Sequence, residues 1–387
     1  MNCVIPHGAV ALQRTDQFVG RTTNWLYDHL RFIPRYTVSV LCDSLANRSE
    51  FPLLQAWSIN QGSLAHSLWR NLMGDRLYPS DVWRLKRLAP CKLHSHFGYV
   101  AVGDLILHET LQIPWLVSFY GADVYELGRL AEWRDRYAQV FERATRVLAL
   151  GPVMATKLRQ LGCASEKITV HPLGIDAENL PVKPRVLGPQ EPLRILFAGT
   201  FREKKGIEYA VQAVALVRRA RIRFELHLVG DAAEKPGDQE TKQKVFEQIN
   251  KLGLDDVVFH HSFLSFQDLI NLALRSHIFL APSVTAEDGD AEGTPFVLQQ
   301  MMATGMPAIS TFHSDIPYLF GDHRDLLVPE RNAKAIAERI QLYAEVPARL
   351  ESDGMALRVR VSQAFAIREC AARLSDLYDL TAATICD

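Results

Sequence analysis

Short apolar runs alternate with amphipathic stretches along almost the whole chain, the pattern of a parallel β-sheet wrapped by helices. In the first half the runs fall at Val4–Ile5, Thr37–Cys42, Lys92–His94, Trp115–Phe119, Arg146–Leu150 and Ile168–His171. The second half repeats them at Arg194–Ala198, Phe224–Val229, Val257–His260, Ile278–Ala281, Ala308–Ser310 and Leu326–Val328. Helical patterns such as Ile207–Arg219, Gln239–Leu252 and Ala333–Tyr343 stand between them. At 387 residues the chain exceeds one ordinary core. Its periodicity lapses between Ala177 and Pro192, where Pro181, Pro184, Pro189 and Gly188 crowd together. The expected architecture is α/β with two Rossmann-like βαβ domains: residues 1–178, a linker at 179–192, and residues 193–345. Helices over 346–387 follow, the last expected to pack back on the first domain.

Charge removes one class of partner. The formal net charge is -1, whereas a protein built to grip a phosphate polymer carries a marked basic excess, so nucleic acid is not expected. Six scattered cysteines without a C-x-x-C pair suit free thiols in a reducing cytosol. No basic segment followed by an apolar core opens the chain, and the longest uncharged run, Gly293 to Phe312, is interrupted by prolines, glycines and glutamines. The expected location is cytoplasmic, at most peripheral at the inner face of the plasma membrane. Between Leu64 and Lys92 lies a stretch rich in Trp and Arg, with Trp69, Arg70, Arg76, Trp83, Arg84, Lys86 and Arg87. Two readings stay open for it: a face for an anionic bilayer, or a solvated helix pair whose tryptophans belong to the core.

No G-x-G-x-x-G follows any candidate strand, so a dinucleotide fingerprint is missing. After the first strand of the second half comes Gly199-Thr-Phe-Arg-Glu-Lys-Lys-Gly206. There Arg202, Lys205 and the start of a helix can meet a diphosphate. A second cluster holds Glu292-Gly293-Thr294-Pro295 ahead of another helix, with Gln300 two turns further on. The turn over Gly293 to Pro295 presents backbone N–H groups (proline itself donates none) toward the carboxyl ends of the strands, Glu292 can accept from sugar hydroxyls, and Gln300 can reach a ribose. Asp288-Gly-Asp290 has the form of a D-x-D metal motif but reads better as a polar loop serving Glu292, and no metal is expected. His94, His96, His260 and His261 read as satisfied strand-end histidines, with His96 also a candidate to line the cleft.

Six ordered elements carry a resemblance: Gly199…Lys205-Gly206, Leu228-Val-Gly-Asp231, Ala281-Pro-Ser283, Glu292-Gly293, Met302-Ala-x-Gly305-x-Pro307 and Leu327-Val-Pro329. Together they resemble the retaining glycosyltransferases of GT-B fold called family 4. His96-Phe-Gly98, Phe119-x-Gly121-x-Asp123, Asp288-Gly-Asp290-x-Glu292-Gly293 and Ser310-Thr-x-His-Ser314 look most like the bacterial exopolysaccharide enzymes of colanic-acid type. The resemblance implies Arg202, Lys205 and Glu292 as catalytic residues. It implies Gly199, His96, Tyr120, Asp123, Asp290, Gly293, Thr294, Pro295 and Gln300 as substrate-binding ones. It also implies a nucleotide-sugar donor, a glycan or polyprenyl-diphosphate-linked acceptor, and no cofactor, since the nucleotide sugar is a substrate. Three positions depart from the family: Gln300 replaces a glutamate, Tyr120 a histidine, and Thr200 an arginine. They keep two alternatives in view, a non-catalytic partner of another transferase and a nucleotide-sugar epimerase of the same fold.

Overall fold

A computed structural model describes residues 8–383 apart from 21–22, 48–50, 52–54, 60–67, 70 and 72–77. The chain forms two compact units, Ile175–Ala366 being one and Met1–Gly174 with Ile367–Asp387 the other. Among the described residues the first unit carries a parallel sheet of seven strands: β1 (Val10–Phe18), β2 (Thr37–Leu45), β3 (Gln55–Ser58), β4 (Lys92–His96), β5 (Trp115–Ser118), β6 (Arg146–Ala149) and β7 (Ile168–Val170). Their spatial order is β3-β2-β1-β4-β5-β6-β7. The second unit has six: β8 (Leu193–Ala198), β9 (Phe224–Val229), β10 (Val258–His261), β11 (Ile278–Ala281), β12 (Ala308–Thr311) and β13 (Leu327–Val328). They run in the order β10-β9-β8-β11-β12-β13. Each sheet reverses its winding once, beside β1 and β4 in the first and beside β8 and β11 in the second. At such a reversal the loops leaving the strands diverge and open a crevice for ligands.

The expected strand at Val4–Ile5 lies outside the described residues, and β1 begins at Val10. Its sequence VALQRTDQF hides it, because Gln13, Arg14 and Thr15 are all buried at the centre of the sheet. Burial is tolerable there because partners are at hand. Arg14 Nε lies 2.8 Å from Asp104 and its Nη2 2.5 Å from Asp43, while Asp104 accepts from Ser95 at 2.6 Å. Apolar periodicity cannot find a central strand whose middle is polar. β3 carries little periodic signal for a simpler reason, being a four-residue edge strand.

The proline-rich stretch at 179–192 lies inside the second unit. Arg185 holds it there: its buried guanidinium donates to the carbonyls of Lys183, Thr304 and Ala273 and to Thr304 Oγ1. The chain passes between the units at Gly174–Ile175 and again at Ala366–Ile367. At the second crossing it enters the helix Ile367–Ala383, which buries Ile367, Cys370, Ala371, Leu374, Tyr378 and Thr381 against the first unit. That spacing is the i, i+3/i+4 stripe of one helical face. Three polar ties add direction: Arg35 to Asp376 at 2.5 Å, Tyr36 to Asp379 at 2.7 Å, and Ser375 to the Pro34 carbonyl at 2.7 Å. Deepest of all, the Tyr378 hydroxyl meets His94 Nδ1 at 2.8 Å. Replacing Tyr378 by Phe leaves that ring nitrogen buried without its partner, which costs about 1–3 kcal/mol. A thermal midpoint lowered by several degrees in Tyr378→Phe, followed by calorimetry, is the expected outcome.

Candidate functional site

The loops leaving β8 and β11 flank the reversal of the second sheet, and the sequence loads both with charge. After β8 the chain passes Gly199, buries Phe201, makes one 3-10 turn over Glu203–Lys205 and enters the helix Ile207–Arg219 at Gly206. Gly206 has φ +64°, and a Cβ there would sit 1.9 Å from the Pro282 carbonyl oxygen, so no other residue fits without moving the second loop. Gly199 is less constrained: a Cβ there would only touch the Lys205 stem at 3.5 Å. The close approach is at Gly230, whose Cβ position lies 2.1 Å from the Gly199 carbonyl oxygen.

Arg202, Lys205 and Glu292, separated by up to 90 positions in sequence, meet in one cluster. Lys205 Nζ lies 3.0 Å from Glu292 Oε1, and Arg202 Nη2 lies 3.1 Å from Asp290 Oδ2. Two residues not expected from sequence complete it. Lys204, nearly buried, bridges the carboxylates, 3.1 Å from Asp290 and 3.8 Å from Glu292, and Asp238 lies 3.5 Å from Arg202 Nε. The signal for Lys204 was present in the Lys-Lys doublet, but which lysine turns inward depends on the 3-10 turn. Burial alone would raise the Glu292 carboxyl, yet Lys204 and Lys205 outweigh it and hold it at about 2. Glu292 is therefore a carboxylate at any physiological pH, and its acceptor capacity is fixed.

Asp290 serves as counter-ion to Arg202 and Lys204, and its own N–H donates to Asp288 Oδ1 at 2.8 Å. The pair thus folds the loop onto the cations. Among the described residues no three His, Cys, Asp or Glu side chains are grouped to hold a metal. The helix Phe296–Ala303 starts at Pro295 with no side-chain cap, leaving its first N–H groups without a side-chain acceptor. The buried Thr294 hydroxyl has no hydrogen-bond partner. Gln300 is buried to 8% exposure on this helix, and beside it Gln299, fully buried, has no partner for either amide atom.

The residues expected from the first unit behave differently. His96 is 3% exposed and has both ring nitrogens engaged, Nε2 with Gln13 Oε1 at 3.0 Å and Nδ1 with the Tyr120 hydroxyl at 2.7 Å. Gln13 Oε1 only accepts, so Nε2 carries the proton and Tyr120 donates to Nδ1. Asp123 accepts the N–H groups of Gly98, Tyr120 and Gly121 at 2.8–3.2 Å. In this ligand-free structure the polar atoms of His96 and Asp123 hold the loops after β4 and β5 in shape. The reason is burial, which obliges each polar atom to find a protein partner. His94 is likewise spent, between Tyr378 and Ser118.

Two family models match, glycosyl transferases group 1 over residues 182–353 and the glycosyl transferase 4-like domain over residues 19–174. WcaL of Escherichia coli, named as a colanic acid biosynthesis glycosyltransferase, is 32% identical over 65% of this chain and 61% of its own length. AmsK of Erwinia amylovora, an amylovoran biosynthesis glycosyltransferase, is 32% identical over 70% of this chain and 65% of its own. The chain spans less than two thirds of the length of these curated relatives. Among solved structures, HepE of Anabaena in complex with UDP-glucose aligns with a TM-score of 0.77 at 16% identity, covering 95% of this chain and 98% of that one. Sucrose-phosphate synthase of Thermosynechococcus elongatus aligns at 0.75 with 18% identity over 97% and 100%. These two likenesses establish the fold.

His29, His94, His96 and His171 line one small cavity of the first unit, which leaves about 20 Å³ for the centre of a water molecule. Burial pushes all four down: His29 to about 4, His96 and His171 to about 3, and His94 well below its ordinary value. Below pH about 6.5 the unfolded chain takes up protons that these buried rings refuse. Their contribution is therefore complete above that pH and is lost as pH falls toward 4 and then 3, at about 2 kcal/mol per ring by pH 5. All six tryptophans lie in the first unit, between Trp25 and Trp133, so their emission reports on it alone. Urea unfolding read by tryptophan emission is expected to shift to lower midpoints between pH 7.5 and pH 5 (chosen to bracket the ordinary histidine range).

Proposed function

The chain belongs to the group 1 glycosyl transferases, with two Rossmann-like sheets in the GT-B fold, and from this we propose that it is a retaining transferase. In this reading it moves a sugar from a nucleotide-sugar donor to a glycan or lipid-linked acceptor in bacterial exopolysaccharide assembly, a reading supported by the names of WcaL, for colanic acid biosynthesis, and AmsK, for amylovoran biosynthesis. The observation that carries the reading is the cluster, buried at Lys204, Asp290 and Glu292 and partly open at Arg202 and Lys205, in which Lys204 and Lys205 face Glu292 while Arg202 faces Asp290.

Breaking the anomeric C–O bond leaves a nucleoside diphosphate with added negative charge. Catalysis then requires positive groups fixed where that charge grows. In this reading Arg202 and Lys205 turn from the carboxylates to the diphosphate. The helix N-terminus after Gly293-Thr294-Pro295 adds partial positive charge. Glu292, released from full pairing with Lys205 but still beside Lys204, accepts from donor-sugar hydroxyls, and Gln300 meets the ribose. The acceptor oxygen enters on the face from which the phosphate departs and passes its proton to the leaving phosphate oxygen, so the step needs no enzymic nucleophile.

Lys205→Ala is expected to lower kcat/KM by about a hundredfold or more while circular dichroism stays unchanged. Near-normal turnover in that variant, measured with the donor that gives the largest thermal stabilisation of the wild type, removes the diphosphate assignment.

The acceptor side includes a membrane surface in this proposal. On the helix Pro79–Leu88, Trp83 is 63% exposed with the Arg87 guanidinium 5.6 Å from its ring centre. Arg84 and Lys86 are also exposed, while the helix's acid, Asp81, is buried. Its exposed charge is thus wholly positive, worth about 1 kcal/mol per cation at an anionic surface. Arg70 and Arg76 of the same basic stretch lie outside the described residues. No described helix is long and apolar enough to cross a membrane. Co-sedimentation with phosphatidylglycerol vesicles at low salt, reversed at high salt and reduced in Trp83→Ala, is the expected result.

A further inference from the structure

Glu292 does not stand on its ion pairs alone. Its main-chain N–H donates to His313 Nε2 at 2.9 Å, and His313, just past β12, is 1% exposed. Because Nε2 accepts, the ring proton sits on Nδ1, which faces Glu330 Oε1 at 2.7 Å. Glu330, just past β13, takes the Thr285 N–H on its other oxygen at 2.8 Å. One line of hydrogen bonds therefore joins the loops after β11, β12 and β13 and ends on the backbone of Glu292.

We propose that His313 and Glu330 are a positioning pair for Glu292, setting the angle at which its carboxylate meets a donor sugar. The inference rests on the donor-site reading above. A need for such a pair is visible locally. Glu292 is followed by Gly293, which does nothing to stiffen the main chain, and no side chain caps the helix beyond. A carboxylate that recognises hydroxyls must be held to within about half an ångström. The Glu330 carboxylate selects the imidazole tautomer and fixes its plane, as carboxylates do for metal-binding and general-base histidines. Here the freed nitrogen grips a backbone amide instead of a metal or a nucleophile. The same carboxylate, through Thr285, also restrains the start of the loop that carries Asp290. Arg331 reinforces that end, donating to the Thr285 carbonyl at 2.5 Å and lying 3.4 Å from Glu203.

Glu330 has a side chain 26% exposed, so variants there disturb the core less than variants of His313. Glu330→Gln retains an acceptor for His313 Nδ1–H, whereas Glu330→Ala removes it. In ligand-free protein, hydrogen exchange of the Glu292 amide is expected to quicken about tenfold or more in Glu330→Ala and to stay near wild type in Glu330→Gln. With UDP and UDP-glucose as calorimetric probes, UDP affinity is expected to be unchanged in both variants. The extra affinity contributed by the glucose should fall about tenfold in Glu330→Ala and return in Glu330→Gln. Unaltered amide exchange in Glu330→Ala, or equal loss in both variants, overturns the pair. A wild-type protein that takes up neither probe counts against the donor-site reading, while amide exchange still decides the positioning.

Discussion

The second unit is organised around one electrostatic problem, a glutamate carboxylate at position 292 that is almost wholly removed from water. An isolated charge in such a place is strongly unfavourable, and Lys204 and Lys205 compensate it from the same short turn. The compensation couples two loops that leave different strands, so the glycine at 206 and the carbonyl of Pro282 must sit almost in contact. Asp290 extends the arrangement by neutralising Arg202 and sharing Lys204. Cations and anions are thus held side by side with little net charge. In the proposed function the arriving diphosphate replaces carboxylates as partner to cations that folding has already gathered and partly desolvated. The reorganisation that bulk solvent would demand has been completed by folding.

The first unit solves a related problem without net charge. Its central strands carry Gln13, His94 and His96 where apolar residues would be ordinary, and each is absorbed into a hydrogen-bonded network that reaches Tyr378 on the returning C-terminal helix. The network rigidifies the loops after β4 and β5 but leaves the buried imidazoles with nowhere to put a second proton. His171 Nε2 is left without a partner beside the cavity.

Tyr120 and Gln300, where the chain departs from the family pattern, are accommodated in different ways. Tyr120 packs on Trp25 and Phe97 and gives its hydroxyl to His96, so an aromatic phenol replaces an imidazole and is tied into the neutral network. Gln300 and Gln299 place two uncharged amides side by side in the helix after Glu292. The negative charge facing Arg202, Lys204 and Lys205 is therefore carried by Glu292 and Asp290, with Asp238 beside Arg202.

The sequence by itself determined the class of fold and the identity of the charged loops. Apolar runs spaced by amphipathic helices allow little except parallel sheets with helical cover, and Gly206 and Glu292 were legible because each sits where a strand must turn into a helix. Which polar residues were spent inside the protein was decided only by tertiary structure. β1 was invisible to periodicity because its middle is polar and its partners, Asp43, Asp104 and His96, come from distant positions. Lys204 and Lys205 are indistinguishable as neighbours in sequence, and only the 3-10 turn brings Lys204 between Asp290 and Glu292. His313 and Glu330 acquire a role only when β12 and β13 lie side by side. A hydrogen bond depends on position to a few tenths of an ångström, and such distances between remote residues exist only once the sheets have formed.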